Sequence, residues 1–469
     1  MSKRRKQPSR PSPPESRSPL LKEGGPGGRT ALALAVLTLV VGVVAATVQP
    51  YDPAGFGCKD RTPPDETAHV LYVRHLLSER TLPILTSGGG NYEAHQPPLY
   101  YLTIAPVMAL GQVLGRGSPV DHSGAPPPDV WLGRLWSVLI AAGVTVACYL
   151  LGCAVFPRSR WLPIGVGLTS ALLPGHIINL AAITNDGLAE LLSTLVIWQC
   201  VVLLRQPPTA RRLLAIGLLT GGALLTKTSC LFLLPVAAGA VALSASPWAP
   251  EPCTWRRFRA GLWLAIGPAL LLWAPWIAHN LAHYPGDPLV ARTFVEIFGK
   301  DRWTPERFFA QGLSPLGYWR LVLMWTYLSF WGVFGQAMVF MPGWYYLLAT
   351  LLPVACLVGF TRALKRLREA DRETRGLWSL LALTAILVFL QFLSFNRTFF
   401  QAQARYLLPA IGPIACLLAA GLHLAGERIA GPRGAFWAQV AAWGVLLVLL
   451  VAALIAVAAR GPVGLPIWL

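Results

Sequence analysis

The chain has 469 residues, of which 54% are hydrophobic and only 13% are charged, and its formal net charge is +18. Soluble domains carry about a quarter charged residues, so this composition excludes an ordinary soluble protein. Apolar runs of about 17–25 residues, the length that spans a bilayer, recur along most of the sequence. Because these runs are continuous rather than alternating, they disfavour a transmembrane β-barrel. The sequence therefore predicts an all-α polytopic membrane protein.

The N-terminal segment, residues 1–30, is basic and rich in Pro, Ser and Gly. This composition predicts a disordered cytoplasmic tail, and residues 31–469 are predicted to form a single transmembrane domain. The remaining positive charge lies mainly in short loops that can act as topology signals, so we expect membrane lipid and no nucleic acid as a partner. Most of the eight cysteines fall inside apolar runs and no C-x-x-C pair occurs, which disfavours a disulfide framework.

Eleven apolar runs are predicted to span the membrane. Their approximate bounds are 31–48, 134–156, 161–179, 187–204, 212–226, 229–246, 260–278, 344–361, 377–394, 406–424 and 436–458. Lys and Arg concentrate on the side of the N-terminus, which the positive-inside rule assigns to the cytoplasm.

Two long loops, 49–133 and 279–343, are predicted on the outer face. The run 98–114 lies in the first loop. If it crossed the membrane, every later loop would change sides and the positive-inside bias would collapse, so we predict an in-plane juxtamembrane helix or half of a re-entrant pair. The run 317–340 is rich in Trp, Tyr and Phe, which favours a position at the membrane interface. Composition alone does not decide whether either run crosses.

The first polar segment is DETAHVLY, residues 65–72. Its surroundings predict a short amphipathic helix, and the spacing puts Asp65 and His69 on one face of it. The alternative is a solvated interfacial helix whose acids, Asp65 and Glu66, merely lie near its positive N-terminus. The segment does not match the zinc-protease pattern HExxH, because the first position is Asp.

The second polar segment is NYEAHQPPLYYL, residues 91–102. Two prolines follow Glu93, His95 and Gln96 directly. Prolines fix an extended backbone ahead of a helix and restrict the residue before them, so these side chains are expected at a defined place on the membrane surface. An ordinary interfacial helix N-terminus is the alternative.

Charged residues also lie beside later spans. Asp186 lies at the outer end of a predicted hairpin, where capping of the next helix is the simpler interpretation. Glu190 lies inside that helix, where an ionisable group is costly and indicates a polar cavity. Lys227, Arg397 and Arg405 lie on the outside, against the positive-inside bias.

Those three cations are suited to phosphate, because Arg binds phosphate oxygens bidentately and Lys acts as a point charge. Snorkelling towards the membrane surface is the alternative. Carboxylates, histidines and cations on one side of a helical bundle form the set that phosphate-activated transfer needs. A base takes the proton of an acceptor hydroxyl, and cations stabilise the leaving phosphate.

Six motifs follow one another between about residue 31 and residue 425. They are the pair Asp65-Glu66, E-x-H-Q-P-P-L-Y-Y at Glu93–Tyr101, S/T-N-D at Thr184–Asp186, G-x-x-x-L-T-K at Gly221–Lys227, S-F-W-G-x-F-G at Ser329–Gly335 and Q-x-R-Y-L-x-P at Gln403–Pro409. In this order they resemble the GT-C glycosyltransferase superfamily. The chain is most similar to a poorly characterised bacterial membrane family related to protein O-mannosyltransferases and aminoarabinose lipid A transferases. The last motif reads Q-A-R-Y where Q-G-R-Y is expected.

This resemblance implies a bundle of about 11–13 transmembrane helices whose large first outer loop carries juxtamembrane helices. It implies transfer of a sugar from a polyprenyl-phosphate carrier to a lipid, glycan or protein acceptor at the extracytoplasmic face. Asp65 would be the catalytic base or acceptor-orienting residue, with Glu66 beside it. The substrate-binding residues that it implies are His69, Glu93, His95, Gln96, Asp186, Lys227, Arg397, Arg405 and Tyr406.

Some members of the superfamily use a divalent metal (Mg or Mn) on the loop acid, and the sequence leaves this open; no other cofactor is expected. The Arg-, Ala-, Leu- and Gly-rich composition is typical of bacteria, so we expect a multi-pass protein of the inner cell membrane with a cytoplasmic N-terminus. The alternative functions are a transporter or flippase of lipid-linked glycan, and a non-catalytic partner in cell-envelope glycan assembly.

Overall fold

The computed structural model describes residues 26–52, 61–87, 91–115, 125–244, 254–300 and 302–459. The first 25 residues of the predicted tail lie outside this part of the chain. The first helix begins at Pro26 rather than at residue 31.

The described residues form sixteen α-helices, three short 3₁₀ helices and one two-stranded antiparallel hairpin. The α-helices are α1 (Pro26–Val48), α2 (Glu66–Glu79), α3 (Leu99–Leu114), α4 (Pro128–Val155), α5 (Trp161–Leu172), α6 (Pro174–Leu180), α7 (Asp186–Arg205), α8 (Ala210–Leu224), α9 (Leu233–Ser244), α10 (Trp255–His283), α11 (Ala291–Phe298), α12 (Pro305–Ala310), α13 (Pro315–Gly332), α14 (Gly343–Glu369), α15 (Arg372–Asn396) and α16 (Ile411–Ala458). The 3₁₀ helices are Tyr92–His95, Thr228–Phe232 and Ala404–Ala410, and the strands are β1 (Val333–Phe334) and β2 (Val339–Phe340).

Helices occupy all eleven predicted spans, but several of these helices are shorter or longer than the predicted span. Within the described ranges, seven helices are long and apolar enough to cross a membrane, or eight if the bent pair α5–α6 is one span. The predicted spans 212–226 and 229–246 correspond to α8 and to the 3₁₀ helix followed by α9, and these pieces are shorter. The predicted fold class, an all-α polytopic membrane bundle, is confirmed.

Two irregular helices explain half of the difference in count, and the short α8 and α9 explain the rest. In α16 the backbone leaves helical geometry at Ala430 and Gly431, where Gly431 has φ +63°, so this element is two helices separated by a kink. The two predicted spans 406–424 and 436–458 lie on either side of it. Between α5 and α6 the chain bends by 59° before Pro174, because a proline interrupts the helical hydrogen bonds there.

The two ambiguous runs form α3 and α13, which are shorter than the long helices α4, α10 and α14. α3 has 16 residues, which is about 24 Å of helix and less than the hydrocarbon core of about 30 Å. Its face with Tyr100, Tyr101 and Ile104 is fully buried against neighbouring elements, while Leu102 and Leu110 are exposed. This geometry agrees with a helix at the membrane surface, and its position relative to the bilayer stays a prediction.

A buried ion pair joins the first loop to the bundle. Arg134 on α4 has no exposed surface and donates to both carboxylate oxygens of Glu66, at 2.9 and 2.6 Å. It also donates to the carbonyl oxygens of Ala46, Gln49 and Pro50 at the end of α1. One guanidinium therefore fixes the start of α2 against α1 and α4, which sets the position of the residue before Glu66.

A second buried pair lies deeper between the helices. His176 on α6 lies 2.7 Å from Glu190 on α7, and both side chains are about 1% exposed. The other ring nitrogen of His176 contacts the Ser170 carbonyl oxygen at 2.7 Å. The sequence predicted that Glu190 indicates a polar cavity; instead, its carboxylate is paired within the packed bundle.

Candidate active site

A cavity of about 490 Å³ opens at one end of the bundle. Its walls come from the start of α2, the 3₁₀ helix Tyr92–His95, the segments that follow α8 and precede α16, and α11. Eight of the predicted site residues line it. They are Asp65, His69, Glu93, His95, Gln96, Lys227, Arg405 and Tyr406.

Asp65 lies directly before α2 and faces Arg405. Its backbone is in the left-handed region, with φ +60°, which is a strained conformation for a residue other than glycine. The Arg405 guanidinium donates a charged hydrogen bond to the Asp65 carboxylate, although 340 residues separate the two in sequence. Burial opposes ionisation of Asp65, but the charge and the hydrogen bond of Arg405 outweigh it and hold the pKa of this carboxyl below its ordinary value.

The neighbouring acid, Glu66, does not line this cavity. Its side chain is 1% exposed and binds Arg134 and the backbone N–H of Ile183. The adjacent acids thus turn to opposite sides, Asp65 towards the cavity and Glu66 into the bundle. The geometry assigns Glu66 a role in positioning Asp65 rather than the catalytic role that its place in the motif implied.

A second cation–carboxylate pair forms another part of the wall. Lys227 is in contact with the carboxylate of Asp186, the first residue of α7. Asp186 does not line the cavity itself; it accepts a hydrogen bond from Asn179 at 3.3 Å. The ring of Tyr406 lies between the two cations, with Lys227 Nζ 5.9 Å and the Arg405 guanidinium carbon 5.3 Å from its centre. Tyr406 therefore bridges the two ion pairs.

A neutral hydrogen-bond network holds the segment before the double proline. Gln96 Nε2 lies 2.8 Å from His95 Nε2, and Asn185 Nδ2 donates to Gln96 Oε1 at 3.2 Å and to the Thr226 carbonyl oxygen. His95 Nδ1 lies 2.9 Å from the Tyr92 carbonyl oxygen. Burial, followed by the charge of Lys227, lowers the pKa of His95 to about 3. His95 is therefore a neutral ring in this site, with its proton on Nδ1 and an acceptor on Nε2.

His69 and Glu93 complete the first-loop wall. His69 Nδ1 lies 2.8 Å from the Tyr101 hydroxyl, and the Tyr101 ring stacks on Tyr72 with centres 3.7 Å apart. Burial lowers the pKa of His69. Burial has the opposite effect on an acid: Glu93 is 4% exposed, and its pKa is raised. The pKa values of the two carboxyls that line the cavity are thus shifted in opposite directions, that of Asp65 downwards and that of Glu93 upwards.

This difference predicts a pH-dependent effect of Glu93→Gln. The unfolded chain ionises Glu at about pH 4.3, while the folded protein keeps this proton to higher pH, so wild-type stability falls as pH rises through that window. Gln has no proton to lose. We expect equal stability of the two proteins below that pH and a growing advantage of Glu93→Gln above it, by about 1.4 kcal/mol for each unit of pKa difference. Thermal unfolding between about pH 4 and pH 8 measures this, and a constant difference would contradict the assignment.

Two contacts fix the backbone around Asp65 and Arg405. Ser329 near the end of α13 accepts a hydrogen bond from the Ala404 backbone N–H at 2.8 Å. In the β1–β2 turn, Gln336 donates to the Pro63 carbonyl oxygen at 3.2 Å. A Cβ on Gly175 would lie 2.6 Å from the Ser329 carbonyl oxygen, so only glycine lets α6 approach α13 this closely. The S-F-W-G-x-F-G motif therefore holds the two loops that carry the ion pair.

Arg397 is not part of this group. It is exposed, ends α15 as its C-cap residue and does not line the cavity, whereas Phe395, Thr398 and Phe399 do. In contrast, Arg302 lines the cavity and was not predicted. It has no signal in the sequence like that of Lys227, because it lies among other charged residues in the segment GKDRWTPER. Asn185 was within a quoted motif but had not been assigned a role.

The described residues hold no preformed cage for a metal ion. In that part of the chain, no three side chains of His, Cys, Asp or Glu come together as ligands. Asp65 and Asp186 each pair with a cation. Mg or Mn can bind through one or two carboxylates and a substrate phosphate, so metal use stays open.

The fold of this bundle is similar to the folds of two solved structures, ArnT and an oligosaccharyltransferase. ArnT from Cupriavidus metallidurans, solved bound to undecaprenyl phosphate, superposes with a TM-score of 0.53 over 92% of this chain and 77% of ArnT, at 14% identity. The oligosaccharyltransferase of Archaeoglobus fulgidus, solved in complex with Zn and sulfate, gives a TM-score of 0.53 at 12% identity. That match covers 92% of this chain and 53% of the oligosaccharyltransferase, so the chain spans about half of its length.

These similarities show the fold, and the predicted GT-C-like architecture is confirmed. No protein-family model matches the chain, and no curated protein sequence matches it. The more specific resemblance to one bacterial family therefore stays a prediction.

Proposed function

We propose that this chain is a glycosyltransferase that moves a sugar from a polyprenyl-phosphate carrier to a hydroxyl of a lipid, glycan or protein acceptor. The observation that carries the proposal is the ionised, strained Asp65 in contact with Arg405 at the wall of a large cavity. The fold supports it, since one of the similar structures is ArnT bound to undecaprenyl phosphate. The cavity also has apolar walls, including Leu231 and Phe392, that suit an isoprenoid chain.

The proposed step uses Asp65 as the proton acceptor. The acceptor hydroxyl gives its proton to the Asp65 carboxylate while its oxygen forms a bond to the anomeric carbon of the sugar. The bond between that carbon and the phosphate oxygen breaks, and its electron pair stays on the phosphate, which leaves as polyprenyl phosphate. Arg405 keeps Asp65 in the ionised form that can accept a proton, whereas burial raises the pKa of Glu93.

The proposed setting is the outer face of a bacterial inner membrane, with a cytoplasmic N-terminus and one transmembrane domain over residues 31–469. The loops 49–133 and 279–343 would then both lie outside. The cavity supports this arrangement, because residues from both loops, including Asp65 and Phe294, line it together. Arg205 and Glu373 form an ion pair at the other end of α7, among the basic segments predicted to face the cytoplasm.

A reconstituted assay tests the proposal. The purified full-length protein is placed in vesicles with radiolabelled polyprenyl-phosphate sugars and a bacterial envelope lipid and glycan extract. We expect release of free polyprenyl phosphate together with label in a new glycosidic bond. Label that crosses the bilayer without a new glycosidic bond would instead establish the transporter alternative.

A further inference from the structure

Arg302 is the third cation of the cavity, and aromatic rings hold it. Its guanidinium carbon lies 5.2 Å from the ring centre of Tyr92, 5.1 Å from that of Phe294 and 5.5 Å from that of Phe399. The rings belong to three separate segments: the 3₁₀ helix before the double proline, α11, and the loop after α15. Three stacking contacts restrict a long side chain that would otherwise be flexible.

The N–H groups of Arg302 remain available. Cation–π contacts do not use N–H···O hydrogen bonds, so the five N–H donors of a guanidinium held in this way can still bind an anion. Within the described residues, no hydrogen bond or ion pair uses these donors. The Arg302 nitrogens are not among the buried polar atoms that lack a partner, so they are accessible rather than enclosed by protein. The guanidinium is thus fixed at the wall of the cavity with its donors unused.

The other two cations of the cavity differ from Arg302 in this respect. Arg405 is bound to Asp65 and Lys227 to Asp186, so each already has a carboxylate partner. Among these three cations of the cavity, Arg302 is the one without a carboxylate partner in the described residues, so its charge is in excess. An anion that enters a partly desolvated cavity beside carboxylates needs a cation whose charge is not already compensated.

We propose that Arg302 forms an anion-binding site that holds the phosphate of the polyprenyl-phosphate donor. This inference rests on the proposed function and adds a residue to it. The donor phosphate is a diester with a single negative charge, which matches the one excess cation. When the sugar leaves, the phosphate becomes a monoester with a charge of about −1.5 to −2 at neutral pH. A fixed cation at this point therefore stabilises the transition state more than the bound donor.

Ligand binding to the full-length protein in lipid nanodiscs tests the site without any acceptor. The probes are undecaprenyl phosphate and undecaprenol, which share the chain and differ in the phosphate. The variants are Arg302→Gln, Arg302→Lys and the control Arg292→Gln. Arg292 lies on α11, is 65% exposed and does not line the cavity. Quenching of tryptophan fluorescence reports binding, and Trp303 is adjacent to the site.

We expect the wild type and Arg292→Gln to prefer undecaprenyl phosphate. Arg302→Gln should bind undecaprenyl phosphate about 10-fold to 100-fold more weakly, because it loses a charged hydrogen-bond donor to the phosphate. Its affinity for undecaprenol should stay unchanged. Unchanged undecaprenol binding shows that the cavity is intact. Arg302→Lys should lose less, because it keeps the charge.

The outcomes separate the two proposals. If Arg302→Gln prefers the phosphate as strongly as the wild type does, the site at Arg302 is wrong and the donor class stands. If the wild type itself does not distinguish the two lipids, the proposed donor class is wrong, and the assignment of the donor phosphate to Arg302 is overturned with it.

Discussion

Asp65→Asn is expected to lower sugar transfer by about 10²- to 10⁴-fold, the usual contribution of a positioned proton acceptor. Asn keeps the shape of the side chain and a hydrogen-bond acceptor for Arg405, but it cannot take the proton of an acceptor hydroxyl. The Asp65 and Arg405 side chains are 29% and 11% exposed, so water compensates part of the lost charge. We therefore expect the variant to fold and insert normally. The measurement is the rate of transfer from a lipid-linked sugar for equal amounts of purified protein.

Asp129→Asn is the matched control. Asp129 also pairs with an arginine, Arg74 at 2.8 Å, and its side chain is 7% exposed, but it does not line the cavity. The control removes a carboxylate of the same kind from an ion pair of the same first loop, so it should keep turnover close to the wild type. Normal turnover in Asp65→Asn would remove Asp65 from the mechanism. An equal loss in both variants would point to damage of the loop rather than to lost chemistry.

Much of the candidate site could be predicted because its residues break local rules. A charged residue beside an apolar run costs free energy, so its presence indicates a structural or functional role. Asp65, Glu93 and Lys227 were found in this way, and the structure brings them to one cavity. The short 3₁₀ helix with Glu93 and His95 ends one residue before the double proline, and Gln96 between them has the extended backbone that a following proline favours. These signals are local, and one sequence is enough to read them.

Pairing between distant residues could not be predicted in the same way. Asp65 and Glu66 are adjacent and chemically similar, yet one meets Arg405 and the other Arg134. The difference depends on a left-handed backbone at Asp65, which nothing in a single sequence requires. Arg302 was missed for a related reason, because its aromatic neighbours come from segments far apart in the chain.

The number of long helices was harder to predict than their positions. Hydropathy locates apolar segments, but it does not report where a helix bends or how long each piece is. The break before Pro174 and the kink at Gly431 both lie within continuous apolar sequence or beside it. Only the first of these breaks lies close to the cavity end of the bundle, where α6 contacts the loop of Arg405. The break before Pro174 is therefore part of what positions the site, whereas the kink at Gly431 lies at the opposite end of the first half of α16.

Arg134→Met is expected to destabilise the protein by about 3–5 kcal/mol, because it leaves the Glu66 carboxylate buried without its cation. Arg134 is fully buried, Glu66 is 1% exposed, and the guanidinium also serves three carbonyl oxygens at the end of α1. Thermal unfolding of the purified protein measures the loss. The double variant Glu66→Leu/Arg134→Met should recover part of it, since no unpaired charge then remains in the bundle.

The control for this prediction is Arg205→Met, which breaks an ion pair whose side chains are 24% and 45% exposed and should cost at most about 1 kcal/mol. An unfolding temperature of Arg134→Met equal to that of the wild type would show that the pair does not hold the first loop.

The variant Glu66→Gln separates a structural role of Glu66 from a chemical one. If Glu66 only positions Asp65, Glu66→Gln lowers stability while the folded fraction keeps most of its turnover. If Glu66 takes part in the reaction, turnover falls in protein that remains fully folded, and the assignment of proton acceptance to Asp65 alone would be wrong.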